Sequence, residues 1–597
     1  MKFISETTLA PLPGRGEILS GSEILLRSLL AEGVECVFGY PGGAVLYIYD
    51  AMHDNPDFHH LLTRHEQGAI HAADGYARST GKTGVVMATS GPGAANLVTG
   101  IATAYMDSVP LVVITGNVSS DLIGTDSFQE VDIIGITQPI IKHSYLVRHA
   151  SELARTIKEA FHIASTGRKG PVLIDIPKDV SAAVTEFILP DQAFVPGYTA
   201  ELEARAKVDQ DAIERLVSAL KDSKKPLLLA GGGVIQADGS EELLDFIERT
   251  GTPVTTTLLG LGVVPADHEL WLGMPGMHGT YAANQALLQC DLLIAVGVRF
   301  DDRVTMKLDS FAPNAKVAHI DIDAAEIGKL VRPSIPITGD ARVALGQLNR
   351  SISSGHMEKK EWTAALRKLK TDYRLRFKSS DKELKPQYVI EMISRTTKGE
   401  AIITTDVGQH QMWTAQYYQF RKPRSLITSG GLGTMGFGFP SAIGAQIGNP
   451  DTTVISVNGD GGIQMCSQEL AICSIHHIPV KIVILNNQTL GMIRQWQELI
   501  YEGRYSHIDL SGSPDFVKLA EAYGVKGLRA ETPAEAERVW QEALTTKGPV
   551  LIDFVISRDE LVYPMIPQGK GLQDIILGPD IGGEADETKK TAVGFGE

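Results

Sequence analysis

Two β-branched runs of the sequence end in polar residues that could bind a metal ion. The first run ends at Asp460 within NGDGG, and the second ends at Asn487 within LNN. Both patterns are typical of buried strands in a parallel sheet, at the point where the chain enters a loop. The two positions are 27 apart, and residues 462–475 have room for a right-handed crossover helix. We therefore predict that the two side chains are neighbours at one sheet edge.

A carboxylate and an amide oxygen at one sheet edge suit a hard cation such as Mg²⁺, which takes about six oxygen ligands. Gly459 and Gly461 flank Asp460 and let the backbone approach a ligand closely. The N-terminus of the following helix adds donors for an anion. The pattern predicts a site for a divalent ion and a diphosphate. The alternative is an ordinary strand-to-helix turn that contains an aspartate.

The composition favours a multidomain α/β protein. Its 597 residues exceed one ordinary domain, 43% are hydrophobic and 60 are glycines. The formal net charge of −16 argues against general binding of nucleic acid or an anionic membrane. The sequence has no apolar signal-peptide core, no membrane-length apolar stretch and no CxxC pair. We predict a cytoplasmic protein with reduced cysteines and with neither nucleic-acid nor membrane partners.

Short strands alternate with helices along most of the chain, which predicts three doubly wound parallel-sheet α/β domains. We place the domains at residues 16–190, 206–345 and 386–560. Residues 190–206 are predicted to be a linker, and residues 345–385 a charged, solvated linker helix. Residues 1–15 and 561–597 are predicted to be a loose tail and a flexible tail, respectively.

The two strand ends resemble the magnesium and thiamine diphosphate signature of the thiamine-dependent decarboxylase and carboligase family. The resemblance implies that Asp460, Asn487 and the backbone carbonyl of Thr489 hold Mg²⁺, which binds the cofactor's diphosphate. In this family the site lies between two subunits. A homo-oligomer, dimer or tetramer, is therefore implied.

Glu66 lies where a predicted strand, 61–63, meets a predicted alanine-rich helix, 67–80. A carboxylate at this position could simply favour the helix dipole. However, RHEQGAIHAADGYAR is similar to the family motif whose glutamate hydrogen-bonds the aminopyrimidine of thiamine diphosphate and so activates it. That chemistry needs a carboxyl whose pKa is raised by burial among apolar groups.

Two further loops have the glycine content that lets backbone donors approach phosphate, namely 406–410 (DVGQH) and 430–436 (GGLGTMG). The resemblance implies that Met435 is the apolar residue that bends the cofactor. It places on the diphosphate side Gln409, His410, Gly433, Gly459 and Gly461.

The middle domain contains GGGVIQ, which is not the GxGxxG dinucleotide fingerprint because position 236 is Gln. Alone, it predicts a structural Rossmann-like domain as readily as a cofactor site. The stretches GMPGMHGT and RFDDRVT are similar to those of the FAD-containing branch of the family, the acetohydroxyacid synthases, and the resemblance covers about residues 20–570. It implies a structural or vestigial FAD bound near Arg168, Gly231, Gly232, Gly233, His278, Gly279, Gly297, Arg299, Asp301, Asp321, Ile322, Gly339 and Asp340.

The resemblance implies that pyruvate is decarboxylated on thiamine diphosphate and that the two-carbon unit joins a second 2-oxo acid. The second acid is pyruvate or 2-oxobutanoate, and the pathway is branched-chain amino-acid biosynthesis. A small regulatory subunit is a possible partner. Gly43, Phe128 and Gln129 would lie near the reacting carbon. The substrate would contact Arg303, Met492, Trp496 and Lys178, although a Met and a Trp at helical spacing are also common in cores.

Two alternatives stay open from the sequence. One is a sister enzyme: a 2-oxo-acid decarboxylase, a pyruvate oxidase or a glyoxylate carboligase, of which the last lacks the catalytic glutamate. The other is a non-catalytic relative that serves as a binding protein, although Glu66, Asp460 and Asn487 are all present. Ser119, Met306 and other departures from the usual family residues bear on substrate preference.

Overall fold

The computed structural model describes residues 16–56, 58–205, 207–352 and 358–582. Within them, the chain forms three α/β domains, each built on a parallel sheet, which confirms the predicted fold class. The predicted loose tail, 1–15, and the last part of the predicted C-terminal tail, 583–597, lie outside the described residues.

The N-terminal domain has a six-stranded parallel sheet whose faces are both covered. Alternate residues of Gly84–Ala88 enter two separate hydrophobic clusters. In spatial order the strands are His60–Leu62, Val37–Tyr40, Gly84–Ala88, Leu111–Asn117, Pro171–Pro177 and His143–Leu146. The α-helices are Gly21–Ala31, Leu46–His53, Glu66–Thr80, Pro92–Ala95, Val98–Met106, Ile133–Thr137, Leu153–Ser165 and Lys178–Ala182. An antiparallel ribbon adds Ile18–Ser20 and Val184–Glu186.

The central domain has a five-stranded parallel sheet. Its strands are, in spatial order, Val254–Thr256, Pro226–Ala230, Leu292–Val296, Lys316–Asp321 and Ile335–Thr338. Its α-helices are Gln210–Asp222, Gly232–Gln236, Ser240–Thr250, Tyr281–Gln289, Asp302–Thr305, Ala341–Ser351 and Lys360–Asp372.

The C-terminal domain has a second six-stranded parallel sheet. In spatial order the strands are Leu426–Thr428, Ile402–Thr405, Val454–Gly459, Lys481–Asn486, Val550–Val555 and Lys526–Ala530. The α-helices are Pro386–Thr397, Gln409–Tyr417, Gly438–Gly448, Asp460–Ile463, Leu470–Ile475, Gly491–Ile500, Phe516–Ala522 and Pro533–Thr545.

The N- and C-terminal sheets share one strand order. When the strands of each domain are counted along the chain, both sheets read 2-1-3-4-6-5, and the central sheet reads 2-1-3-4-5. In each sheet, strand 2 lies on one side of strand 1 and strand 3 lies on the other, so the direction in which strands are added reverses between strands 1 and 3. Ligands of doubly wound folds bind at the carboxyl ends of the strands at this point. The topology thus provides three crevices where binding residues can collect.

The N- and C-terminal domains pack through two helices that approach closely, Glu66–Thr80 and Gly438–Gly448. A Cβ at Gly444 would lie 1.7 Å from the Ala72 carbonyl oxygen, and a Cβ at Gly75 would lie 2.0 Å from that of Ser441. Alanines and aromatic residues of both helices share one hydrophobic cluster. Glycine at these two positions therefore sets the distance between the domains.

Three connections differ from the sequence-based expectation. The expected linker contains a helix, Pro196–Arg205, which is anchored because the hydroxyl of Tyr198 accepts a hydrogen bond from Lys142. The charged helix Lys360–Asp372 buries Trp362 and Leu366 against the central domain. The crossover after Asp460 is divided into two short α-helices, Asp460–Ile463 and Leu470–Ile475, with a 3-10 turn before the second, instead of one helix.

The described part of the predicted C-terminal tail packs against the body of the protein. Ile566, Leu572 and Leu577 are buried in the same hydrophobic cluster as the central sheet. Among the described residues, no helix combines the length and the apolar character needed to cross a membrane.

Candidate active site

The structure brings Asp460 and Asn487 to adjacent strand ends. Val454–Gly459 and Lys481–Asn486 pair in parallel, with Gly459 opposite Leu485. Asp460 follows the first strand directly, and Asn487 follows the second. Both side chains are buried. The neighbouring crevice is the one at which the C-terminal sheet reverses its winding.

Asp460 has an unusual electrostatic environment. Burial, together with the nearby Asp553 carboxylate, raises the pKa of its carboxyl to about 7. Its Oδ2 is buried and has no hydrogen-bond partner among the described residues. A buried polar atom without a partner is expensive and needs an explanation. A bound cation would supply both the partner and the compensating charge.

Asn487 and Thr489 lie in a tight turn beside Asp460. The Asn487 Oδ1 accepts a hydrogen bond from the Thr489 N–H at 3.3 Å, and its Nδ2 donates to the Gln409 Oε1 at 3.3 Å. Gln488 between them has a φ of 56°, which lets the chain reverse direction. Gln409 in turn donates to Gln495 at 2.9 Å, so a buried amide chain fixes Asn487.

His410 and Met435 lie close to the turn that contains Gly459 and Gly461, on either side of Asp460 in the sequence. The His410 Nδ1 lies 3.0 Å from where a Cβ of Gly459 would be, and the Met435 Cε lies 3.8 Å from that of Gly461. Burial lowers the pKa of His410 to about 4, so the ring is neutral at pH 7. Glycine at 459 therefore allows the close approach of His410, whereas Met435 is at an ordinary contact distance from position 461.

Glu66 begins the helix Glu66–Thr80, whose first turn is capped by the preceding residue. The His65 Nδ1 accepts a hydrogen bond from the Gln67 N–H. The Glu66 Oε2 accepts from the Asn96 Nδ2 at 3.0 Å, and its Oε1 lies 3.2 Å from where a Cβ of Gly93 would be. Glu66 is half-buried and follows the edge strand His60–Leu62, and its carboxyl reaches the segment that follows the strand Gly84–Ala88.

The other residues predicted near the reacting carbon lie at the surface of the N-terminal domain. Phe128 is 88% exposed. A Cβ at Gly43 would meet no described atom within 4 Å. Gln129 has a φ of 63° and lies against Gly91. The Lys178 ammonium is 5.9 Å from the centre of the Tyr47 ring. One chain therefore leaves this group of residues open on one side.

A cavity of about 710 Å³ lies between the central domain and its two neighbours. Of the residues predicted to bind FAD, the following line it: Arg168, Gly232, Gly233, His278, Gly297, Arg299, Asp301, Asp321, Ile322 and Asp340. The other three, Gly231, Gly279 and Gly339, do not line the cavity but are next to residues that do. A Cβ at Gly231 would lie 2.2 Å from the Gly297 carbonyl oxygen, so this turn requires glycine.

The charged groups of this cavity are largely engaged with one another. The Arg168 guanidinium donates to Asp323 at 3.0 Å and to Glu326 at 2.8 Å. Burial raises the pKa of Asp321 to about 6. Burial also lowers the pKa of His278 to about 4, and its Nδ1 lies 3.2 Å from the Pro564 carbonyl oxygen.

The predicted substrate residues Arg303, Met492 and Trp496 line the same cavity, together with Gly433 of the glycine-dense loop. Arg303 is largely exposed, and its guanidinium is 3.8 Å from the Asp302 carboxylate. The cavity therefore extends from the central domain to the glycine-dense loop and the helix Gly491–Ile500.

Several lining residues were not predicted from the sequence. Met274, Pro275 and Met277 lie within the GMPGMHGT stretch and could have been included. Gln411, Arg424 and Asp107 had no local signal, because they reach the cavity only through the packing of separate domains.

Comparison with known proteins identifies the family. Residues 19–136 match the N-terminal TPP binding domain of thiamine pyrophosphate enzymes, residues 213–348 their central domain, and residues 406–554 their C-terminal TPP binding domain. Thiamine pyrophosphate (TPP) is thiamine diphosphate.

The chain is also similar over most of its length to acetolactate synthase large subunits. It is 49% identical to that of Buchnera aphidicola subsp. Schizaphis graminum, over 94% of this chain and 99% of the relative. It is 48% identical to that of Haemophilus influenzae, over 94% and 98%. It is 47% identical to the isozyme 3 large subunit of Escherichia coli K12, over 94% and 99%. The chain therefore belongs to the thiamine pyrophosphate enzymes and, among them, to the acetolactate synthase large-subunit family.

Proposed function

We propose that this protein decarboxylates pyruvate and joins the remaining two-carbon unit to a second pyruvate, giving 2-acetolactate, or to 2-oxobutanoate, giving 2-aceto-2-hydroxybutanoate. The observation that carries the proposal is the buried, unpartnered Oδ2 of Asp460 beside Asn487, at the crevice of the C-terminal sheet. The names of the relatives support the choice of reaction.

The donor set fits Mg²⁺ and a diphosphate. Asp460, Asn487 and the Thr489 carbonyl would hold the ion, because carboxylate, amide and carbonyl oxygens are the ligands that Mg²⁺ prefers. Gly433, with a φ of 71°, leaves its backbone accessible for a phosphate. When bound, thiamine diphosphate supplies the carbon nucleophile and accepts the electrons released by decarboxylation.

Glu66 would hold the cofactor's pyrimidine nitrogen through one carboxyl oxygen. The Asn96 amide fixes the other oxygen at 3.0 Å, so the carboxyl cannot rotate freely. A fixed carboxyl can give and take a proton at one atom without reorientation. Gln409 and His410 would line the diphosphate side, and neutral His410 adds no charge to compete with the metal.

The complete site would require a second copy of this chain. The hydrogen bond of Glu66 stays within the N-terminal domain, whereas the contacts of Asp460 and Asn487 stay within the C-terminal domain. The open space at Gly43 and the exposed Phe128, both in the N-terminal domain, leave a surface that a second chain can cover. We propose a homodimer at least, and a tetramer is compatible with it.

The 710 Å³ cavity would hold FAD. Its volume lies within the roughly 300–1,000 Å³ range of ligand sites, and it combines glycine turns, apolar walls and charged groups. The glycine turn of Gly231 and Gly297 at the reversal point of the central sheet leaves no space for side chains. A structural role for the flavin agrees with a reaction that transfers no electrons to an acceptor.

Substrate selection would depend on Arg303, Met492 and Trp496 at the cavity wall. A guanidinium suits the carboxylate of the accepting 2-oxo acid, and Trp496 would favour the longer 2-oxobutanoate. Gly43, Phe128, Gln129 and Lys178 would close the pocket from the other subunit.

Because the relatives are named large subunits, we also propose a small regulatory partner. The cytoplasmic location stays a prediction.

The test is to incubate the purified protein with pyruvate, Mg²⁺, thiamine diphosphate and FAD, with and without 2-oxobutanoate. We expect acetolactate and aceto-hydroxybutanoate as products, with little acetaldehyde. Glu66→Gln should lower the rate by about 100-fold or more, because the amide cannot exchange the proton. Glu35→Gln is the matched control, since the Glu35 carboxylate bonds Tyr76 and Lys82 instead. Acetaldehyde as the main product, or an active Glu66→Gln variant, would contradict the proposal.

A further inference from the structure

The glycine-dense loop, residues 430–436, is held by carboxylates at both ends. The Gly436 N–H donates to the buried Asp406 carboxylate of its own domain at 2.9 Å. The Gly430 and Gly431 N–H groups donate to Asp107, which belongs to the N-terminal domain, at 2.9 and 2.7 Å. The loop is therefore fixed by two domains at once.

Asp107 is placed for this contact by the end of the helix Val98–Met106, of which it is the C-cap residue. The fit is tight: a Cβ at Gly431 would lie 2.9 Å from the Asp107 Oδ1 and 3.0 Å from the Met106 Cβ. It would also lie 3.2 Å from an Arg299 guanidinium nitrogen at the cavity wall. A small shift of Asp107 would therefore move the loop.

A buried arginine compensates the charge of Asp107. The Arg78 Nη2 donates to the Asp107 Oδ2 at 3.0 Å, its Nε to the Asp74 Oδ1 at 2.5 Å, and its Nη1 to the Thr428 carbonyl at 3.0 Å. Breaking a buried ion pair leaves an uncompensated charge, so the contacts of Arg78 are costly to lose. The planar guanidinium also fixes the geometry of the carboxylates that it bonds. The arginine thus also fixes the strand end that enters the loop.

One hydroxyl pair reinforces the same attachment. Thr103, on the helix that precedes Asp107, hydrogen-bonds Thr434 at 2.7 Å, and both side chains are buried. The contacts of Asp107 and Thr103 with the loop do not include the catalytic Glu66 or the metal-binding turn.

We propose that Asp107 is a positioning residue for thiamine diphosphate. It acts through the backbone of Gly430 and Gly431 and sets the position of the loop that presents Gly433 and Met435 to the diphosphate. The inference rests on the proposed function, since it assumes that this loop faces the cofactor. Loss of Asp107 should weaken cofactor binding and leave the chemical step intact once the cofactor is bound.

The experiment compares Asp107→Asn with Asp74→Asn in the full-length protein. Both substitutions remove one carboxylate from Arg78, but only Asp107 contacts the loop. An asparagine at 107 can accept only one of the two loop N–H groups. We expect the thiamine diphosphate concentration for half-saturation, at fixed Mg²⁺, to rise about 10-fold or more for Asp107→Asn. Its kcat at saturating cofactor should stay within about 3-fold of wild type.

A second readout is independent of activity. Amide hydrogen exchange of residues 428–437 in the cofactor-free protein should quicken in Asp107→Asn and stay close to wild type in Asp74→Asn. Equal losses of cofactor affinity in both variants would overturn the proposal, because the charge cluster would then act only on stability. Faster exchange in Asp107→Asn with unchanged affinity would overturn it as well, while the activity assay of the wild type would still support the proposed function.

Thr103→Val covers the case in which Asp107→Asn is not recovered as folded protein. Valine has the shape of threonine and removes only the hydrogen bond to Thr434. A rise of about 3-fold in the half-saturating cofactor concentration, with unchanged kcat, would support the coupling. Wild-type affinity in this variant, with Asp107→Asn unfolded, would overturn it.

Discussion

At Asp460, a buried carboxyl without a partner costs stability in the cofactor-free protein. Its carboxyl is buried, its pKa is raised to about 7, and its Oδ2 has no described partner. A neighbouring buried carboxylate, Asp553, is in contrast fully engaged, because Asn486 and Arg529 both donate to it. Two buried aspartates, at strands that only Lys481–Asn486 separates, therefore differ in how well their carboxylates are satisfied.

This contrast gives opposite outcomes for the same substitution. Asp460→Asn should stabilise the cofactor-free protein by about 1 kcal/mol at pH 8, because it removes a buried charge without a partner. It should also weaken Mg²⁺-dependent thiamine diphosphate binding by about 100-fold or more, since the metal loses its carboxylate. Urea unfolding and cofactor titration measure the two effects.

Asp553→Asn is the matched control. It should destabilise the protein, because Arg529 loses a charged acceptor, and it should leave cofactor affinity close to wild type. If Asp460→Asn were the less stable of the two, or if it bound the cofactor normally, Asp460 would have no metal-binding role.

At the residue scale, the sequence could predict those candidate site residues that a local pattern of neighbouring residues marks. Asp460, Asn487 and Glu66 follow or precede recognisable strands, so their placement could be predicted. Asp107 is different, because it contacts Gly430, which is 323 positions away. Such a pair leaves no local pattern, since it arises only when two domains pack together.

At the scale of elements, the contact between the helices Glu66–Thr80 and Gly438–Gly448 determines how the domains meet. Gly444→Ala would place a methyl group 1.7 Å from the Ala72 carbonyl oxygen. We expect a loss of about 3 kcal/mol or more in the free energy of unfolding, since backbone cannot move aside within a packed contact.

Gly346 provides the control, because it lies on the helix Ala341–Ser351 and a Cβ there would meet only the Arg350 side chain at 3.6 Å. Gly346→Ala should stabilise the protein by up to about 1 kcal/mol through helix propensity. Chemical denaturation of both variants tests the difference, and equal effects would show that the helix contact can relax.

The same helix contains a buried histidine whose protonation opposes folding. His71 packs edge-on against Phe437 across the domain contact, and burial lowers its pKa to about 3, with a contribution from the Arg78 charge. The unfolded chain takes up a proton near the ordinary histidine pKa of about 6.5, whereas the folded protein does not. Stability is therefore complete above pH 6.5 and is lost as the pH falls.

Between pH 8 and pH 5 this group should remove about 2 kcal/mol from the free energy of unfolding. His71→Gln should show a correspondingly weaker pH dependence in urea denaturation, whatever its stability at pH 8. His53→Gln, at the exposed end of the helix Leu46–His53, is the control and should follow the wild type. Parallel pH profiles for His71→Gln and the wild type would contradict the prediction.

Periodicity predicted most strands and helices, but their neighbours in space could not be derived from it. The strand Pro226–Ala230 was located from its apolar residues alone. The order 2-1-3-4-6-5 depends on crossovers that the pattern does not encode. The helix Pro196–Arg205 was missed because its turn-forming start and polar composition look like a linker, while one residue, Tyr198, anchors it.

At the scale of the molecule, two domains with the same strand order contain different halves of the proposed site. Glu66 follows the edge strand of the N-terminal sheet, whereas Asp460 and Asn487 follow two neighbouring strands inside the C-terminal sheet. In one chain, these domains meet through the helices Glu66–Thr80 and Gly438–Gly448, and Phe128 of the N-terminal domain stays 88% exposed. The arrangement favours a site completed by a second chain.

This arrangement leads to a complementation experiment. Glu66→Gln and Asp460→Asn homodimers should each be nearly inactive. In a mixed dimer, one of the two sites combines the intact Glu66 of one chain with the intact Asp460 of the other. Random exchange of subunits makes half of the dimers mixed, so mixing should restore about a quarter of wild-type activity.

The measurement is acetolactate formation after the two variants are mixed, exchanged under mild dissociating conditions and reassembled. Each variant treated alone is the control and should stay inactive. If both residues served the same site within one chain, a mixed dimer would contain only damaged sites, and mixing would restore nothing. Recovery of activity therefore distinguishes a site shared between two chains from a site within each chain. The fraction of wild-type activity that is recovered reports what fraction of the sites is shared.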